Sequence, residues 1–248
     1  MLNARDIRGE YMDILKKENY NFEDLKHIVK ILRSENGCPW DAEQTHESIR
    51  NNFIEEVYEA AEAIDENNPE LLKEELGDVL LQVLMHARIS EESGGFDIDG
   101  VCDGICKKLI LRHPHVFGGT AEPGAADTAD KVLGRWENIK IEEKGLTDPQ
   151  QYLKNTPKTL PALMRAEKIY KRAVKSKLIK PKNIEKKSVK HAINVLNTEI
   201  NGNIETNAFE TLGRIFFELA GLSSELGINP EQALYFYTEQ FIKNLSTK

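Results

Sequence analysis

Residues 49–85 read IRNNFIEEVYEAAEAIDENNPELLKEELGDVLLQVLM. The spacing of their apolar and acidic positions predicts two helices joined by a tight turn. Over residues 49–64, Phe53, Val57, Ala60, Ala61 and Ile64 share one side of a helix at ~100° per residue. That apolar side is centred near Val57 and Ile64, the expected core face; Glu56 and Glu59 lie on a flank beside Ala60 and Ala63, small enough for a neighbour to come close. Asn67-Asn68-Pro69 breaks the run, and Pro69 suits the first turn of a second helix over 70–90, the most apolar of the chain.

Working outward, Leu25, Ile28, Val29 and Leu32 repeat at helical spacing over 22–32, stopped by Asn36-Gly37. A polar loop, GCPWDAEQTH, is expected next, and DIDGVCDGICKKLILR forms a further helix ending at His113-Pro114. Small and acidic residues over 118–130 and the stretch 145–161 with its prolines read as linker around one short helix over 132–141. A basic helix follows over 163–178, and from His191 onward three more helical segments are separated by Asn and Gly. No segment alternates with period two, so an all-α helical bundle is the expected architecture.

The halves resemble each other. GGFDIDGVCDGICKKLILR around Gly95 lies on LGINPEQALYFYTEQFIKN around Gly227, and ELGDVLLQ around Gly77 lies on TLGRIFFE around Gly213, with the intervening turn four residues shorter in the second half. This points to a duplication.

The chain has 248 residues, 33 Lys and Arg against 41 Asp and Glu, and a net charge of −8. Such a balance does not draw a protein to nucleic acid or anionic lipid, and it fits a cationic partner such as a divalent metal. The longest strongly apolar stretch, residues 79–85, falls far short of the ~20 that cross a bilayer, and the N-terminus lacks an uninterrupted apolar core, so no membrane partner is expected. Cys38, Cys102 and Cys106 are too few for a disulfide scaffold or a structural zinc site and suit a reducing, cytoplasmic setting.

Antiparallel packing of the two helices brings Glu56 and Glu59 opposite Glu75 and Asp78. Carboxylates ~4–5 Å apart repel by about 3–4 kcal/mol per pair at an effective dielectric of ~20, so the cluster requires a cation or raised pKa values. Oxygen ligands alone argue for Mg²⁺, with Mn²⁺ possible as a substitute. A solvated acidic stripe of Glu55, Glu56, Glu59 and Glu62 is the bland alternative, against which stands Asp78 followed by Val79, Leu80 and Leu81. A di-iron carboxylate bundle needs Glu-x-x-His, and the third position after Glu75 is Asp78. Lys107, Lys108 and Arg112 lead into His113-Pro114-His115, donors suited to phosphates or to the helix dipole alone. Trp40 suits either stacking on a base or anchoring its loop.

Glu55-Glu56-Val57-Tyr58-Glu59 with Glu75-Leu76-Gly77-Asp78 resembles the EExxE…ExxD signature of MazG-type nucleoside triphosphate pyrophosphohydrolases. So do Asn36-Gly37-Cys38-Pro39-Trp40-Asp41, Arg112-His113-Pro114-His115-Val116-Phe117, Arg135-Trp136-Glu137 and Leu160-Pro161-Ala162-Leu163-Met164-Arg165-Ala166, over most of residues 22–175. The resemblance implies an all-α fold of tandem helical bundles with four-helix cores completed by homodimerisation. It also implies Mg²⁺-dependent hydrolysis of nucleoside triphosphates to monophosphate and pyrophosphate. Carried over by motif, Glu56, Glu59, Glu75 and Asp78 ligate the metal, Glu55 and Glu59 act on water, and Lys108, Arg112, His113 and Trp40 meet the substrate. The expected organisation is an N-terminal helical extension (1–19), a domain with the metal motif (20–118), a linker with one short helix (119–162) and a degenerate copy (163–248). In that copy Glu56 meets Glu199, but Glu59 meets Gly202, Glu75 meets Thr211, Asp78 meets Arg214, Lys108 meets Gln240 and Arg112 meets Asn244. Besides pool house-cleaning by an enzyme, two functions stay open: a nucleotide-binding regulatory protein with little turnover, and a narrower pyrophosphohydrolase acting on dUTP or a phosphoribosyl nucleotide.

Overall fold

Asn21 starts the first helix, α1 (Phe22–Leu32), by accepting from the Asp24 N–H while Asp24 accepts from the Asn21 N–H. The computed structural model describes residues 14–118, 128–143, 145–146, 148–180 and 208–246, with 194 and 197 besides. The first thirteen residues of the expected N-terminal extension and the segment containing Glu199 and Gly202 lie outside the described residues. All regular structure among the described residues is helical. The chain divides into two compact units, Met1–Glu122 and Pro123–Lys248.

In the first unit α2 (Pro39–Glu43) replaces the expected loop, because Pro39 occupies a first-turn position where its fixed φ and missing N–H cost nothing. Gly37 allows this tight return: a Cβ there would come within 2.2 Å of the Ile31 carbonyl oxygen. Helix α3 (Arg50–Asp65) is followed by Asn67, whose φ of 54° is left-handed; Asn68 then caps α4 (Pro69–Glu92) by accepting from the Leu71 N–H. Asp97 caps α5 (Ile98–Arg112), and α6 (Pro114–Phe117) is a single turn opened by Pro114. Helix α4 is the centre of the unit and packs against α1, α3 and α5. Its core consists of Val29, Ile49, Leu84 and Met85, flanked by Leu25, Leu80, Leu81, Ile89 and Ile98.

One expectation is corrected here. Helix α3 buries Ala60 and Ala63, whereas Val57 is 49% and Ile64 58% exposed. Close approach of α3 to α4 over small side chains turns the larger apolar stripe outward.

The second unit contains α7 (Ala129–Glu143), α8 (Pro149–Lys154), α9 (Ala162–Lys175), α10 (Ala208–Glu225) and α11 (Pro230–Ser246). Helix α9 packs on α8, α10 and α11. It crosses α10 where Gly221 leaves room for Tyr170, 2.8 Å from a hypothetical Cβ, and the Tyr170 hydroxyl donates to Glu225. The two connections have one form: α4 and α10 are each followed by a left-handed glycine, Gly94 and Gly227, and an Asx cap, Asp97 and Asn229.

Candidate active site

Four acidic side chains reach the α3–α4 contact from two antiparallel helices. Glu56 and Glu59 are one turn apart on α3, as are Glu75 and Asp78 on α4. Ligand oxygens of Glu56, Glu75 and Asp78 lie within 4.8 Å of one another. Burial, then the charges of Asp78, Glu59 and Glu55, pushes the Glu56 carboxyl above its ordinary value, and a hydrogen bond with Glu59 adds to this. Glu75 is also raised, first by burial and then by the charge of Glu59, its hydrogen bond with Glu59, and Asp78 and Glu74. The charge of Glu59 thus acts on a carboxyl of each helix although Glu59 is itself exposed.

The remaining predicted residues lie outside this cluster. Glu55 is exposed on α3 and reaches Glu56 through its charge. Lys108 is exposed on α5, while Arg112 is buried at that helix's end. His113 folds back so that Nδ1 lies 2.6 Å from the Leu109 carbonyl oxygen, and its ring is tilted against His115. Trp40 is 61% exposed on α2. That short helix is fastened by Arg33, which donates to the carbonyls of Asp41 and Gln44 and pairs with Glu92 at 2.7 Å. Burial pushes the Glu92 carboxyl up, but hydrogen bonds and charge from Arg33, with Arg88, hold it below its ordinary value.

Two features along the same contact escape the sequence reading. One helical turn past Asp78, Gln82 is 8% exposed and its Oε1 has no hydrogen-bond partner. One turn further, His86 stacks on His46, with Nδ1 atoms 2.8 Å apart and Phe53 tilted against its ring. Burial, then the charge of His46, lowers the His86 pKa. In the second unit, Thr211 is buried on α10 and Arg214 is exposed where the alignment places Glu75 and Asp78.

A three-carboxylate set of this kind, with oxygen donors only and two carboxyls held toward protonation, suits a hard divalent cation. Residues 44–117, which contain all four acidic positions, match the MazG nucleotide pyrophosphohydrolase domain. The match extends to whole chains. The nucleoside triphosphate pyrophosphohydrolase/pyrophosphatase MazG of Thermotoga maritima is 38% identical over 231 residues, covering 92% of this chain and 86% of that protein. This chain belongs to the MazG family. The nucleoside triphosphate pyrophosphohydrolase of Escherichia coli K12 is 45% identical over 149 residues, 60% of this chain and 55% of its own length. The uncharacterized protein YabN of Bacillus subtilis is 46% identical over 169 residues, 67% of this chain and 34% of its own. The chain thus spans between a third and a little over half of the latter two. In MazG terms the acidic signature falls on α3 and α4, and the positions of the second unit that the alignment sets against Glu75 and Asp78 hold Thr211 and Arg214.

Proposed function

We propose that the first unit of this MazG protein hydrolyses nucleoside triphosphates to nucleoside monophosphate and pyrophosphate, removing canonical or damaged nucleotides from the pool. The observation that carries this reading is the convergence of Glu56, Glu75 and Asp78 within 4.8 Å, with the charge of Glu59 acting on both Glu56 and Glu75. Glu56, Glu59, Glu75 and Asp78 are the residues to hold Mg²⁺, or Mn²⁺ in its place. When bound, the ion neutralises triphosphate charge and acts as a Lewis acid. Lys108, Arg112 and His113 bind phosphate oxygens, and Trp40, on its exposed helix, offers a face to the base. Glu59 or Glu55 accepts a proton from water as the water oxygen bonds to the α-phosphorus and the bond to the bridging oxygen breaks, pyrophosphate leaving in line.

The working organisation is a catalytic domain over 20–118 and a degenerate copy over 163–248, operating in the cytoplasm as a homodimer without nucleic acid or membrane. No described helix is long and apolar enough to cross a membrane. Support for the dimer comes from the outward stripe of Ile54, Val57, Tyr58, Ile64 and Leu76, all at least 41% exposed, beside the acidic cluster. Exposure of Arg214 where the alignment places Asp78 supports a second reading, a nucleotide-binding regulator with little turnover. The deciding experiment incubates the protein with standard and non-canonical triphosphates, with and without Mg²⁺, and separates the products. Metal-dependent monophosphate and pyrophosphate, lost in Glu59→Gln and Asp78→Asn but kept in Arg214→Ala, supports the enzyme. Nucleotide binding without turnover selects the regulator. Equal loss in all three variants refutes the division into an active and a degenerate half.

A further inference from the structure

The basic helix α9 belongs to the second unit, where it forms one wall of a cavity of about 280 Å³. Lys168, Lys171 and Arg172 line it from α9, Lys140 from α7 and Tyr152 from α8. Glu167 is the one carboxylate among the lining residues and is already paired with Lys171 at 2.6 Å, so the α9 wall carries a net charge of +2 in a chain of net charge −8. Arg172 gives this charge its weight. It is only 9% exposed, and its Nη1 donates to the Tyr152 carbonyl at 2.7 Å and to the Thr156 hydroxyl at 2.9 Å. Its guanidinium lies 4.5 Å from the Tyr152 ring centroid. Those oxygens are neutral, so the contacts hold the guanidinium in place without cancelling its desolvated charge, which favours an anion in the adjoining space. Beside the cavity wall, on the preceding turn of α9, the Nε of Arg165 is a buried donor with no partner.

We propose that this cavity binds a phosphate-bearing anion through its diphosphate group, supplied by free pyrophosphate or by a nucleoside diphosphate. Three cations along one helix favour a multivalent anion over a single inorganic phosphate, and guanidinium and ammonium groups both suit phosphate oxygens. The volume lies just below the usual range of small-molecule pockets, which suits a diphosphate head more than an entire nucleotide. Leu160 and Met164 supply an apolar margin.

The test uses the full chain, metal-stripped and in Mg²⁺-free buffer, titrated calorimetrically with pyrophosphate, inorganic phosphate and ADP. Lys140 sits 4.9 Å from the Trp136 ring centroid, so Trp136 emission in a Trp40→Phe background gives a second, local readout. The expected result is one site per chain for pyrophosphate, about tenfold or more tighter than for phosphate. Lys168→Glu and Lys168→Gln, at an exposed position, weaken it about tenfold or more, whereas Lys243→Glu on α11, with the same overall charge change as the first, stays within about twofold. Equal affinities for pyrophosphate and ADP identify the diphosphate as the whole determinant; tighter ADP makes a nucleotide the source. The proposal is overturned by absence of binding, by equal weakening in the Lys168 and Lys243 variants, or by loss of the signal in Asp78→Asn, which returns the anion to the carboxylate site. Turnover plays no part in these readouts, so they stand or fall separately from the proposed hydrolysis.

Discussion

Replacing Asp78 by Asn separates metal binding from fold maintenance, because the two respond in opposite directions. In the metal-free protein the Asp78 carboxylate lies within 4.8 Å of that of Glu56. At that distance two unit charges repel by about 1 kcal/mol in bulk water and about 3 kcal/mol at an effective dielectric of ~20. Both residues are half-exposed, so screening keeps the value toward the lower end, about 1–2 kcal/mol. Asp78→Asn removes the repulsion with almost no change in volume and raises the metal-free melting temperature of the first unit by about 4 °C or more. Mg²⁺ has the opposite effect on the comparison. At a concentration about 100-fold above its Kd a bound ligand adds about 2.7 kcal/mol to stability, an increment expected for the wild type and absent from the variant. Differential scanning calorimetry over a Mg²⁺ series measures both effects, with Arg214→Ala as a control for an exposed charge in the second unit. A variant less stable than wild type without metal, or one retaining the full Mg²⁺ increment, refutes the reasoning.

The raised carboxyls of Glu56 and Glu75 bind more protons folded than unfolded, so metal-free stability falls as pH rises above the ordinary value of 4.5, and saturating Mg²⁺ reduces the fall; melting temperatures from pH 4.5 upward check this. A metal-free stability rising steadily through that window, in a variant lacking other titrating contributions such as Glu92→Gln, contradicts it. Arg33→Met leaves the partly buried Glu92 with Arg88 as its remaining cation and releases the carbonyls of Asp41 and Gln44. The expected cost is about 2–3 kcal/mol in urea unfolding, together with faster proteolysis at α2, and a loss below about 0.5 kcal/mol shows the guanidinium to be dispensable. Gln82→Met removes an acceptor that has no donor while keeping the volume, so the metal-free melting temperature holds or rises by the equivalent of about 1 kcal/mol. A loss of similar size shows that Gln82 is already satisfied in the free protein.

Local signals made much of the fold legible. The left-handed Asn67, the Asn68 cap and Pro69 together define the α3–α4 turn, and each acts within a few residues of its own position. Helix α2 reads as loop in the sequence because a single turn opened by Pro39 is too short to display a period, and the same brevity conceals α6 and α8. The spacing of Glu56 with Glu59 and of Glu75 with Asp78 exposed the candidate site, since residues three apart face the same way on a helix. What sequence did not disclose joins residues far apart: Arg33 with Glu92, and His46 with His86. Nor does an isolated Gln between Asp78 and His86 signal that its oxygen is buried without a donor.

Misreading of the α3 core face follows from the same limit and bears on function. A hydrophobic stripe shows that a surface seeks burial but does not identify what buries it. Here Ala60 and Ala63 carry the contact with α4, and Val57 and Ile64 face outward. Had those larger side chains packed inward, the helix axes would have been held further apart and the carboxylates of Glu56, Glu75 and Asp78 with them. The small-residue contact therefore joins two consequences in one arrangement: it draws the acidic side chains together, and it leaves beside them an exposed apolar stripe, which on the proposed reading a second copy covers. On the proposed reading, substitutions enlarging Ala63 spread the ligand set and disturb the dimer surface together, whereas polar substitutions at Ile64 weaken assembly while leaving the α3–α4 spacing intact.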